Sequence, residues 1–178
     1  MAPSRVFGIQ AWVALPRAQE EIAPSFAHHG ANALPMIESK GVRVRLMVGA
    51  LMGARSPVAT HSDMVYAEAT LAAGARLAFA AEHEERAIYV IQGIIDLANR
   101  SFGASQLLVL RRGAEVTVAA PQGARILLLG GAAMDGTRQI WWNFVSSSTQ
   151  RIEQAKADWK EGRFPPVPGE TEFIPLPQ

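Results

Sequence analysis

From Gly41 onward, apolar and polar residues alternate with the two-residue period of a β-strand: Val42, Val44, Leu46 and Val48 interleave with Arg43, Arg45, Met47 and Gly49. Short runs of similar character follow at 64–71, 76–80, 87–91, 94–98, 106–110, 115–118, 125–129 and 140–145. Gly74, Gly93, Gly103, Gly113, Gly123 and Gly136 punctuate them. Turns roughly every ten residues across so many short strands predict an antiparallel sandwich or barrel.

The flanks read differently. Val6 to Leu15 is rich in aromatic and β-branched residues and stops at Pro16, which predicts a strand with no local partner, to be paired with something distant or with another subunit. Residues 16–40 carry Pro16, Pro24 and Pro35 with few periodic apolar positions, a long connection with a short strand near Pro35–Ser39. After the last run, Ser147 or Ser148 can cap a helix in which Ile152, Ala155 and Trp159 share one face, and Gly162 provides a stop. The tail from Phe164 is Pro-rich and extended, tacked down by Phe164, Phe173, Ile174 and Leu176. The expected organisation is an N-terminal strand and crossing linker over 1–40, a barrel over 41–146, and a helix with Pro-rich tail over 147–178.

With 178 residues, 49% apolar and 19% charged, the chain can bury a real core without staples. A net charge of +1 gives no global pull towards nucleic acid or anionic lipid. The absence of cysteine excludes disulfides, thiolate metal sites and cysteine nucleophiles. The start of the sequence lacks a signal-peptide pattern, and the longest apolar block, Ile126 to Met134, is far shorter than the ~20 residues of a membrane helix. These features point to a cytoplasmic protein. Trp141-Trp142-Asn143-Phe144 could pass for a base-stacking platform, but no basic stripe accompanies it, so core packing is expected. Neither a P-loop nor a Ser-His-Asp arrangement can be picked out.

The glycine-punctuated pattern resembles the cupin barrel, with first motif G-x5-H-x-H-x(3,4)-E-x6-G and second motif G-x5-P-x-G-x2-H-x3-N. That resemblance implies two His, a Glu and a later His around a divalent metal. Aligned on Gly93, the glutamate position holds Arg86, and the histidine positions hold Phe79 and Ala81, or Ala80 and Glu82 with the shorter spacing. Pro121-Gln-Gly123 is intact, but Ile126 stands where the last histidine belongs. Arginine is permanently cationic and cannot ligate a metal. No metal ligand and no catalytic residue are therefore assigned. Of the four histidines, His83 stands out among Glu82, Glu84 and Glu85. The segment reads as a solvated acidic turn, as a ligand pocket at the barrel mouth using His83 and Arg86, or as a metal site built from His61 and His83 with Glu82 or Glu84.

Phe7-Gly-Ile-Gln-Ala-Trp-Val-Ala-Leu-Pro16, Gly53-Ala-Arg-Ser-Pro57 with Tyr66, and Trp141-Trp-Asn-Phe-Val-Ser-Ser-Ser148 through Trp159 to Phe164 resemble segments of the pirin family, proteins with two tandem cupin barrels. The resemblance implies an all-β, cupin-type antiparallel β-barrel or jelly roll with one C-terminal α-helix, matching the family's C-terminal barrel. The family's iron is held in the N-terminal barrel, and no residue here matches that ligand set, so no cofactor is expected. The expected function is a non-catalytic interaction or small-ligand-binding module. It would form a homodimer through the N-terminal strand, with a possible further protein partner, and would not contact nucleic acid or membrane. The alternative is a metal-dependent dioxygenase of quercetin 2,3-dioxygenase type.

Overall fold

A computed structural model describes residues 7–169 and 171–177. The chain divides into two compact units: residues 23–133, and residues 1–22 with 134–178.

The larger unit is the barrel. Its strands are β1 (Met36–Ser39), β2 (Val42–Leu51), β3 (Ala54–Arg55), β4 (Met64–Leu71), β5 (Ala75–Phe79), β6 (Glu85–Leu97), β7 (Arg100–Gly103), β8 (Leu107–Val109), β9 (Val116–Ala120) and β10 (Ala124–Gly131). All belong to one curled antiparallel sheet in the order β1-β2-β4-β10-β6-β9-β5, with β3 on β2 and with β7 and β8 on β6. Alternation places Val42, Val44 and Leu46 in the core. Beyond Leu46 the β2–β4 register slips by one residue, and the buried positions change parity to Gly49 and Leu51. A bulge does this because the side-chain period is two, so one extra residue swaps the faces. Gly49 is required there, since its φ is 81° and a Cβ would lie 1.7 Å from the Met64 carbonyl oxygen.

Two runs expected as separate strands, 87–91 and 94–98, form the single strand β6. Gly93 does not reverse the chain. It bends it, at φ 82°, where β6 ceases to pair with β10 and begins to pair with β7. The residue thus carries one strand from one side of the barrel to the other. In the core, Phe79, Leu46, Ile88, Val90, Ile95, Val118, Ile126 and Leu128 are all fully buried.

In the smaller unit, β11 (Gln139–Trp141) and β12 (Phe144–Ser146) form a hairpin, and α1 (Thr149–Lys160) follows. The run 140–145 had read as one strand; it turns at Trp142, which has φ 50°. Ser148 is the helix cap, its hydroxyl accepting from the Arg151 N–H, and Ile152 and Ala155 are buried. A strand over Val6–Leu15 is not formed: Val6 lies outside the described residues, and residues 7–15 pair with no strand among the described residues. Strand-like composition does not make a strand without a ladder to join. Among the described residues, no helix is long and apolar enough to cross a membrane.

Candidate functional site

The turn from β5 into β6 carries the positions that the cupin pattern assigns to metal ligands. Phe79 closes β5 with its ring fully buried, and Ile126 on β10 is buried too. Arg86, at the second residue of β6, is only 3% exposed. Its Nη1 donates to the Phe79 carbonyl at 2.7 Å and the Ala80 carbonyl at 3.0 Å, and its Nη2 donates to the Ala114 carbonyl. The guanidinium carbon lies 5.2 Å from the centre of the Phe79 ring. A fixed cation is thus held by carbonyl dipoles and an aromatic face, with Nε buried and without a hydrogen bond. Gly130 makes room for it: a Cβ there would meet Arg86 Cγ at 3.1 Å and the Glu85 carbonyl oxygen at 2.5 Å. These residues do not fit a divalent metal. Three of the four positions, Phe79, Ala81 and Ile126, are hydrocarbon, and the fourth, Arg86, already holds a positive charge.

His83 is buried at 4% exposure although Glu82, Glu84 and Glu85 beside it are exposed. Its Nδ1 contacts Asp63 Oδ2 at 2.8 Å and its Nε2 contacts the Ala50 carbonyl at 2.9 Å. The ring ties the β5–β6 turn to the end of β2 and to the approach to β4. The segment is therefore neither a solvated turn at His83 nor a place where the imidazole faces open water. Glu82 accepts from the Met52 N–H and Glu84 from the Ala133 N–H, both at 3.2 Å, and Arg112 bridges Glu84 and Glu85 at 2.8 and 2.6 Å. His61 is exposed, and among the described residues no group of His, Asp or Glu is arranged to hold a metal ion.

The smaller unit holds a cleft of about 470 Å³ that no local pattern of residues signals. Trp12, Val13, Leu15, Ile140 and Val145 form its apolar lining, joined by Asn143, Glu20 and Arg138. Arg138 and Glu20 are 6% and 12% exposed, with Nε and Oε1 2.6 Å apart. The Nε–H does not point along that contact, so it is an ion pair rather than a formed hydrogen bond. Arg138 also donates to the Leu15 carbonyl at 2.8 Å. Glu20 accepts from the Ser147 N–H and hydroxyl at 3.0 Å and from the Ser146 hydroxyl at 3.1 Å. Burial pushes its carboxyl up, but the Ser147 and Ser146 hydrogen bonds and the Arg138 charge together hold it below its ordinary value. Glu20 lies in the linker and Arg138 lies past the barrel, so no local spacing could have joined them.

The model of the pirin C-terminal cupin domain matches residues 66–165. A pirin-like protein of Caulobacter vibrioides is 46% identical over 176 residues, covering 98% of this chain and 61% of that protein. The crystal structure of quercetin 2,3-dioxygenase from Acinetobacter baumannii superposes with a TM-score of 0.84 at 25% identity, covering 94% of this chain and 57% of that one. The chain therefore spans roughly three-fifths of the length of these two proteins.

Proposed function

Because the chain belongs to the pirin family and carries its C-terminal cupin domain, we propose that it is a non-catalytic interaction or small-ligand-binding module. One observation carries this reading. The cupin ligand positions hold Phe79, Ala81, Ile126 and a buried Arg86 bonded to main-chain carbonyls, an arrangement that stabilises a fold and offers a metal nothing. Interaction is supported by the smaller unit. Among the described residues, 8–15 join no strand ladder, and Ile9, Trp12 and Val13 are 41, 55 and 60% exposed, with Ile140 at 68%. An exposed apolar strip of this kind is a surface for association with another chain.

The partner we propose is a second copy, joined through residues 7–15. Light scattering over about a hundredfold range of concentration tests it, since dimerisation follows mass action. A dimer that Trp12→Asp converts to monomer is expected; a soluble wild-type monomer throughout would overturn it.

A second reading, a metal-dependent dioxygenase, is favoured by the name of the Acinetobacter baumannii protein. Consumption of quercetin by the protein supplied with iron would support it over the first.

A further inference from the structure

The Pro-rich tail does more than end the chain. After α1, Phe164 stacks on Phe144 with ring centres 5.8 Å apart and planes 8° from parallel. The chain then passes Pro165, Pro166, Val167, Pro168 and Gly169 and returns to the same aromatic group. Phe173 stacks on Trp159 at 5.8 Å and 23°, and Trp159 Nε1–H donates to the Ile174 carbonyl at 2.8 Å. Trp159 is itself held edge-on by Trp142 at 5.1 Å. A stacked ring, one main-chain carbonyl and the extended backbone imposed by Pro175 are together the recognition elements of a peptide groove, not of a core. The burial agrees. Phe173 and Ile174 remain 60 and 59% exposed while docked, so the segment lies on the cradle without being built into it.

We propose that Trp142, Phe144 and Trp159 form a recognition cradle for an extended Phe–aliphatic–Pro segment. The chain's own residues 171–177 fill it in cis, and a partner protein presenting a segment of the same chemistry fills it in trans. The tail acts as a tethered competitor. Its short Pro- and Gly-containing connection gives it an effective concentration in the millimolar range, so a free segment binds weakly until the tail lifts.

The test uses the full chain and a synthetic peptide with the sequence of residues 171–178, followed by the Trp159 indole N–H resonance in nitrogen-15 spectra. Phe173→Ala removes an exposed ring and leaves the fold intact, as circular dichroism will check. In that variant the Trp159 resonance is expected to shift on peptide addition, with an affinity at least about tenfold tighter than wild type shows. Trp159→Phe placed in the same background keeps an aromatic ring and loses the donor. It should weaken binding several-fold, read on the Trp142 resonance. Equal peptide binding by wild type and Phe173→Ala, or none by either, overturns the proposal. So does a wild-type dimer that Phe173→Ala abolishes, because it would place the tail in a second copy's cradle.

Discussion

Arg86→Met is the perturbation that most sharply separates a structural bracket from a ligand-binding group. Methionine keeps much of the stem volume and removes the charge and the donors. Lost with it are the bonds to the Phe79, Ala80 and Ala114 carbonyls, each to a charged donor and inside a core where Arg86 is 3% exposed. Such bonds contribute about 1.5–3 kcal/mol apiece, and the buried Phe79 carbonyl is left without this partner. Set against this is the relief of burying a guanidinium, worth several kcal/mol. The net loss should be about 2–4 kcal/mol, which for a chain of this size lowers the melting temperature by roughly 4–16 °C. Arg86→Lys, a point charge that cannot span the three carbonyls, should recover less than half. Urea and thermal unfolding followed by circular dichroism measure the loss. Arg112→Ala, which removes exposed, solvent-screened ion pairs to Glu84 and Glu85, is the control and should leave the unfolding curve essentially unchanged. If Arg86→Met matched that control, the guanidinium would not be bracing the turn and the reasoning would fail.

Two further predictions follow from the same geometry. Gly93→Ala should cost about 3 kcal/mol or more by urea denaturation, because the residue sits at φ 82° and a Cβ would lie 2.4 Å from the Gly123 carbonyl oxygen; a loss below about 1 kcal/mol would mean the bend can relax. Glu20→Gln should flatten the acid limb of stability. The carboxyl titrates below its ordinary value of 4.5 in the folded chain, so its contribution is complete above that value and is lost as pH falls through the depressed one. Unfolding curves collected between neutral and acid pH should therefore converge for wild type and variant at the acid end; parallel curves would refute the linkage.

Much of the barrel was legible because a half-buried strand writes its period directly into the sequence, as Val42, Val44 and Leu46 do. What escaped was information held in pairing rather than in composition. Gly93 reads as a turn, yet it bends one continuous strand because β10 and β7 pair with β6 on either side of it. Val6–Leu15 reads as a strand, yet residues 7–15 have no ladder to join among the described residues. At the candidate site, the motif count alone placed Phe79, Arg86 and Ile126 at the ligand positions. It could not show that Arg86 spans carbonyls at the end of β5 and in the segment before β9, or that His83 is buried among exposed glutamates. Glu20 and Arg138 escaped altogether, since only the folded smaller unit brings them together.

The central claim is that the barrel's ligand positions form a braced core and not a metal site. The most direct test is metal content of protein prepared without a histidine tag, before and after incubation with iron(II), nickel(II), copper(II) and manganese(II). The account predicts less than ~0.1 equivalent of any of them, with melting temperature unchanged by their addition. Binding near one equivalent, with thermal stabilisation that Arg86→Met alters, would contradict it.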